Sequence, residues 1–402
     1  VKVVVVGSGA REHALAWRLS QSSGLTELHA APGNPGIAAL GRCHPVRAED
    51  GDGLLELART LDADLVVVGP EAPLVAGVAD ALRRNGVAVV GPSADAARIE
   101  GSKAFAKDVM RAAGVPTAEQ LSVARPPCVV KADGLAAGKG VFVCHDAEEL
   151  DHALRSVAAF GGAVVIEELL EGDEVSLLAF TDGRHVVALP PARDFKRARD
   201  GDAGPNTGGM GAYSPVPWLG DVGALVDAVH QPVVDELARR GTPFVGCLFA
   251  GLMVTSDGPR VLEFNARLGD PETQVLMPRL DGDLLELLVA TARGDLAGVR
   301  VDARPDAAVT VVLAGPDYPA RSDYSGVAIE GVEAAEDAGA VVFHGGTAVR
   351  DGRLVTHGGR ILSVTATGPS VEEARQRAYG AVELVRFDGA TFRRDIAAVA
   401  GG

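Results

Sequence analysis

The stretch Leu262-Glu263-Phe264-Asn265-Ala266-Arg267-Leu268-Gly269-Asp270-Pro271-Glu272-Thr273 decides how this chain is read. Its opening residues alternate as in a β-strand, where positions two apart share a face, so Glu263 and Asn265 point two oxygen donors the same way. Paired oxygens suit a hard divalent cation, and magnesium carrying a triphosphate is the natural occupant. A guanidinium, a glycine turn and two acids follow at once. Taken alone the segment could be a plain turn; the order of motifs around it gives it weight.

Upstream, Val130-Lys131-Ala132-Asp133 leads into Gly134-Leu135-Ala136-Ala137-Gly138-Lys139-Gly140. The glycines imitate a P-loop, but one spacer residue is missing and no Ser or Thr follows Lys139, so that motif fails. What fits is a glycine hairpin with a lysine at its tip, able to lie over phosphates after a strand ending in Lys131. Glu167-Glu168-Leu169-Leu170-Glu171-Gly172-Asp173-Glu174 then sets acids at a strand end and again seven residues later. Such a charge run is ordinarily a solvated surface; its place between the hairpin and Glu263 makes it a candidate site edge. A second backbone-exposing loop runs from Gly204 through Asn206 and Gly208 to Tyr213. Of the 38 basic residues six are lysines, and Lys103, Lys107, Lys131 and Lys139 fall within one stretch of 37 residues, where compact ammonium groups would suit phosphate.

Composition sets the outer limits. At 402 residues and 47% apolar content the chain has room for two to four domains with sizeable cores. No apolar run approaches the roughly 20 residues that cross a bilayer, and the amino terminus carries no basic and apolar leader, so a cytoplasmic protein without membrane contact is expected. A net charge of −16 excludes a broad basic face for nucleic acid. Four dispersed cysteines without a C-x-x-C pair are expected to be buried thiols.

Residues 1 to about 100 alternate short β-branched runs with amphipathic helices, which predicts a parallel doubly wound sheet with its ligand edge at the strand C-termini. Gly7-Ser8-Gly9, Pro32-Gly33-Asn34 and Gly69-Pro70-Glu71 stand there. Gly7 to Glu12 imitates a dinucleotide fingerprint, but Glu12 replaces the third glycine and Ala30-Ala31 stand where an acid should close the second strand, which argues against NAD. The turn could still bind phosphate or carboxylate at the helix start, with Arg11 and His13 assisting, or could simply turn the chain. The fold class expected is α/β and α+β multidomain: an N-terminal doubly wound parallel sheet over 1–101, a two-lobed core over 102–301 with its small lobe at about 115–182, and a C-terminal mixed α/β domain over 302–402. Strands are expected at Gln120–Val123 and Cys128–Ala132 in that small lobe.

These stretches, with Val68 to Leu74, Glu100 to Phe105 and Gly358 to Thr367, resemble the ATP-grasp superfamily and, within it, the phosphoribosylamine-glycine ligase family; Arg267-Leu268-Gly269-Asp270-Pro271-Glu272 is highly specific to it. The resemblance implies an ATP-grasp core and ATP-dependent ligation of glycine to phosphoribosylamine through a glycyl phosphate, in de novo purine biosynthesis, with Mg²⁺ or Mn²⁺ and a monomer or weak homodimer. It implies that Lys103, Lys131 and the Gly138-Lys139-Gly140 part of the hairpin meet the ATP phosphates, that Glu167 and Leu170 offer backbone groups to adenine, and that Glu174 accepts from ribose. Glu263 and Asn265 would hold the metal, and Arg267, Lys131 and Lys139 would act on the transferring phosphoryl group. Gly9, Gly33, Asn34, Glu71, Asn206, Gly208 and Asp270 would meet the amine and amino-acid substrates. Three departures stand out: a short Glu119–Lys131 link, a trimmed Val157–Ala163 segment, and Phe195 where relatives often carry His. Two rivals remain, another ATP-grasp ligase or carboxylase with a different acceptor, and a nucleotide-binding module without turnover.

Overall fold

Val3–Val6 and Leu65–Val68 are apolar at every position, the pattern of parallel strands covered on both faces. In the computed structural model, which describes residues 1–134, 140–160 and 163–398, all eight residues are buried. They are neighbours in a five-stranded parallel sheet of order Arg42–Cys43, Glu27–Pro32, Lys2–Gly7, Leu65–Val68, Val89–Val90. Val6 stands level with Ala31 on one side and Val68 on the other, so the loops after Gly7, Pro32 and Val68 leave the sheet side by side. The strand order reverses there, which opens the expected crevice.

The small lobe is a three-stranded antiparallel sheet, Val141–Cys144, Cys128–Ala132, Val164–Glu168, backed by helix Ala147–Ala158. Its period of two sorts the side chains. Cys128, Val130, Ala132 and Cys144 pack with Ala153 and Val157 of the helix, whereas Val129, Lys131 and Glu167 lie on the opposite face. The strand expected at Gln120–Val123 reduces to one bridge from Gln120 to Glu167. Pro126 and Pro127 end that segment without backbone donors, and no helix forms between Glu119 and Cys128, as the short link implied.

Asp173–Asp182, assigned from sequence to the small lobe, pairs along its length with Val245–Thr255 and so stands in the large-lobe sheet, of order Val186–Ala188, Asp173–Asp182, Val245–Thr255, Gly258–Asn265. Its long antiparallel register is a stronger constraint than its nearness in sequence to the small lobe. Nor is the C-terminal sheet built from C-terminal residues alone. Its order is Arg193–Asp194, Gly211–Ser214, Ala307–Ala314, Arg360–Gly368, Val341–His344, so two strands of the core complete it. Helix Val371–Val382 buries Ala374, Ala378 and Ala381. Cys128, Cys144 and Cys247 are buried free thiols, and Cys43 is half-buried. No helix among the described residues is long and apolar enough to cross a membrane.

The first and last domains meet through histidines. His13 Nδ1 accepts from the His344 backbone N–H at 2.8 Å, and the His13 ring stands edge-on to Phe343 at 5.5 Å between centroids. Burial lowers His13 to about 3, helped by the neighbouring His344, and burial lowers His344 and the core residue His230 to about 4. A base depressed in the folded state favours folding fully above its unfolded value near 6.5, and that contribution is lost as pH falls from there toward the folded value. Each of the three should therefore cost on the order of 2 kcal/mol of stability between pH 7 and pH 5. Urea melts at the two pH values test this; equal midpoints would show that these rings are protonated without penalty.

Candidate active site

Between the two lobes lies a cleft of about 680 Å³ whose walls carry Lys103, Lys107, Lys131 and Lys196 together with Glu167, Glu174, Glu263 and Arg267. Lys103 opens helix Lys103–Ala113, which Ser102 caps through Phe105 N–H at 3.2 Å. Asp133 accepts from the Lys103 backbone N–H at 2.6 Å, and Lys103 Nζ donates to the Gly134 carbonyl at 3.1 Å. Asp133 and Gly134 are thereby tied to the helix start. Gly138 and Lys139 lie outside the described residues; Gly140 lines the cleft.

Glu167, expected to serve adenine through its backbone, also has a side-chain role. Its carboxylate is buried and receives Lys131 Nζ at 2.6 Å on one oxygen and Lys107 Nζ at 3.0 Å on the other. Lys131 donates further to the Leu262 carbonyl at 3.0 Å. Leu170 lines the same wall beyond the strand end. Glu174, expected at the ribose, is paired with Lys196 Nζ at 2.7 Å, and that ammonium holds its carboxyl below the usual range. Lys196 is itself raised: burial opposes its charge, but Glu174, Asp194 and Glu263 together outweigh that. Burial pushes the Asp194 carboxyl up to about 7, opposed by Lys196 and reinforced by Glu272 and Glu174.

Glu263 and Asn265 stand on strand Gly258–Asn265, opposite Gly251 and Phe249, on the side that faces the cleft. Among the described residues the Glu263 carboxylate makes no hydrogen bond or ion pair within bonding distance, an arrangement costly for a half-buried charge unless a cation completes it. No cluster of three or more acidic, His or Cys ligands exists among the described residues, and strand Val245–Thr255 contributes no acid. Two protein oxygens with the remainder from phosphate and water is the set that suits magnesium.

Arg267 is clamped by a different domain. Its Nε lies 3.1 Å from Glu71 and a terminal nitrogen lies 3.2 Å from Glu100, while the other Glu100 oxygen accepts from the Ala266 N–H at 2.7 Å. Burial works against the guanidinium's charge, but Glu100 and Glu71 raise it above the usual arginine value. Against the upward push of burial, Arg267 and Arg11 hold Glu71 below the usual carboxylate range.

A second cavity of about 550 Å³ lies between the N-terminal and C-terminal domains and shares Asp270 and Arg360 with the cleft. Gly9, Gly33 and Asn34 line it. At the Gly turn Glu12 accepts from the Gly9 N–H at 2.7 Å and pairs with Arg11 at 2.5 Å. Gly7 leaves the room, since a Cβ there would come within 2.7 Å of the Glu12 side chain. Asn34 likewise works within the protein, donating to Ser8 and His344 carbonyls at 2.9 and 2.7 Å and capping Ile37 N–H at 3.0 Å. Asp270 pairs with Arg360 at 2.8 Å and accepts from Gln274 at 2.8 Å. The Gly204–Tyr213 loop bridges three parts of the fold: Asn206 reaches the Val141 carbonyl at 3.5 Å, and Gly208 N–H donates to the Tyr318 hydroxyl at 2.9 Å.

Sequence reasoning grouped Lys107 with the lysines that suit phosphate but gave it no partner, and left Lys196, Glu100 and Arg360 without roles. Lysine scarcity was a usable signal for the first two, since among the described lysines only Lys2 stands away from the cleft. Nothing local marks Glu100 or Arg360. Phe195 is explained by packing: it is buried against Tyr213, with the Arg393 guanidinium 5.0 Å from its ring centre.

Three consecutive family models match the chain: Phosphoribosylglycinamide synthetase N domain over residues 1–100, its ATP-grasp (A) domain over 101–273, and its C domain over 308–399. The chain is similar to the phosphoribosylamine–glycine ligase of Streptomyces coelicolor, 55% identical over 420 residues and covering 100% of both chains. Among solved structures, phosphoribosylamine–glycine ligase from Thermotoga maritima superposes with a TM-score of 0.85 at 35% identity, over 98% of this chain and 100% of that one. The biotin carboxylase domain of 2-oxoglutarate carboxylase from Hydrogenobacter thermophilus, solved with MgADP and bicarbonate, has a TM-score of 0.68 at 18% identity, covering 97% and 91%, and so shares the fold.

Because Arg267 is the cation facing two buried or half-buried carboxylates, Arg267→Met should destabilise the protein by about 3–5 kcal/mol, far more than a surface arginine. Adding Glu100→Gln should return part of that loss. Denaturant melts of the two variants decide; a midpoint unchanged in Arg267→Met would mean that Glu71 and Glu100 are satisfied elsewhere.

Proposed function

The chain belongs to the phosphoribosylglycinamide synthetase family, and from that footing we propose that its interlobe cleft joins glycine to 5-phosphoribosylamine at the expense of ATP, giving glycinamide ribonucleotide, ADP and phosphate. It is an ATP-grasp carbon–nitrogen ligase of purine biosynthesis. The observation that supports the assigned chemistry best is the Glu263 carboxylate, without a bonded partner among the described residues, beside Asn265 in a cleft walled by lysines.

A glycine carboxylate oxygen attacks the γ-phosphorus, the bond to the bridging oxygen breaks, and ADP leaves. The ribosylamine nitrogen then attacks the carbonyl carbon of glycyl phosphate; phosphate departs and the nitrogen loses its proton. Neither step requires a nucleophile from the protein. The work is positioning and charge neutralisation, which matches a site of Lys, Arg and oxygen ligands. Lys103, Lys131 and the Gly138–Gly140 hairpin with Lys139 take the phosphates, Glu167 and Leu170 the adenine, and Glu174 the ribose. Arg267 places a fixed positive charge next to the phosphoryl group. Glu263 and Asn265 would hold Mg²⁺ or Mn²⁺, whose charge offsets that of the phosphate oxygens.

The second cavity suits phosphoribosylamine, because it meets the cleft at Asp270 and Arg360 and so brings an amine toward the activated carboxyl. Gly9, Gly33 and Asn34 then shape its walls, while Asn206, Gly208 and Glu71 line the adjoining cleft, several of the six by holding loops rather than by touching substrate. A monomer or weak homodimer is proposed.

ADP release measured with neither, either or both of glycine and phosphoribosylamine tests this. Release should require both; release with bicarbonate or another amine instead would point to a different acceptor. Glu263→Ala should lower turnover at least about a hundredfold. A rate equal to that of the unaltered protein would remove the metal assignment.

A further inference from the structure

Two buried lysines share one buried carboxylate in this cleft, and they are held differently. Lys107 Nζ has all three of its donors engaged: Thr117 Oγ1 at 2.7 Å, the Ala118 carbonyl at 2.7 Å and Glu167 Oε1 at 3.0 Å. Thr117 in turn donates to the Val261 carbonyl at 2.7 Å, two residues before Glu263, so Lys107 is anchored to the strand that carries the metal pair. Lys131 has only two acceptors, Glu167 Oε2 at 2.6 Å and the Leu262 carbonyl at 3.0 Å, and among the described residues its third N–H is left for a ligand. Glu167 is 2% exposed.

A carboxylate that deeply buried needs a cation. Were Lys131 its sole partner, drawing that ammonium toward phosphate would strand the Glu167 charge, and the lysine would be trapped. With each carboxylate oxygen bonded to its own lysine, one ion pair can loosen while the other persists. The two lysines and one acid also leave a net positive charge facing the incoming triphosphate. We propose that Lys107 is a positioning residue which keeps the Glu167 carboxylate neutralised so that Lys131 is free to engage the ATP phosphates. The proposal rests on the assignment of Lys131 to those phosphates. Burial pulls the Lys107 ammonium below its ordinary value, and Glu167 opposes that pull.

If Lys107 acts only through Glu167, its effect must vanish when Glu167 is made neutral. Titration of the full chain with MgATP and, separately, with adenosine reads this without catalysis. Lys107→Met should weaken MgATP binding at least about tenfold, the range seen when a group orienting a ligand-binding residue is removed, with adenosine binding unchanged. In the Glu167→Gln background, adding Lys107→Met should leave MgATP affinity as it is in Glu167→Gln alone, and this pair remains decisive should Lys107→Met alone not fold. A further tenfold loss in that background, or equal weakening toward adenosine, would mean that Lys107 merely braces the helix against Thr117 and Ala118, and would overturn the proposal. Absence of ligation by the unaltered protein with glycine and phosphoribosylamine would instead refute the assigned reaction and leave this comparison standing.

Discussion

The guanidinium of Arg267 between Glu71 and Glu100 is the interaction on which the site's assembly depends. Arg267 follows the end of strand Gly258–Asn265 by two residues, whereas Glu71 and Glu100 belong to the segment of the parallel N-terminal sheet and its closing helix. A buried charge has few acceptable surroundings, so this triad fixes the angle at which two independently formed sheets can meet. The Ala266 N–H bonded to Glu100 adds a backbone restraint to the same junction. The consequence is that Glu263 and Asn265 are presented to the cleft while the N-terminal loops reach its rim.

Around that junction the protein distributes cations sparingly. Its net charge is −16, yet the cleft holds Lys103, Lys107, Lys131, Lys196 and Arg267, each against an acid or a carbonyl. Such pairs give each of these cations a counter-charge or an acceptor before a ligand arrives. They also mean that binding a metal-bearing triphosphate is an exchange of partners rather than the creation of charge pairs from nothing. Lys196 shows this most directly, for the acids around it include both the ribose candidate Glu174 and the metal candidate Glu263.

How far the chain's chemistry could be read in advance depended on how local each signal was. Alternation put Glu263 and Asn265 on one face, because a strand's period of two is a property of the backbone itself, whereas only the register of the small sheet set Lys131 and Glu167 on one face. The failure of the dinucleotide fingerprint at Glu12 was legible too, but not that the Glu12 carboxylate turns back to accept from the Gly9 N–H. The Asn34 amide looked available in sequence and is engaged by carbonyls of Ser8 and His344, the latter more than 300 positions away. Asp173–Asp182 looked like part of the small lobe and pairs with Val245–Thr255, since the ladder of backbone bonds it completes lies far along the chain.

By itself, then, the sequence determined the layered α/β character, the glycine-rich loops at the ends of the parallel strands, the placing of Glu263 and Asn265 on one face, and membership of a ligase family. Each of these follows from short-range geometry or from a contiguous motif. Only the tertiary structure decided which side chains remain open to ligands and which are already bonded: Lys107 behind Glu167, Glu100 and Glu71 around Arg267, Arg360 against Asp270. These partners come from separate elements, and whether a buried polar group is satisfied depends on what the fold brings within about 3 Å of it, which no local pattern of residues records.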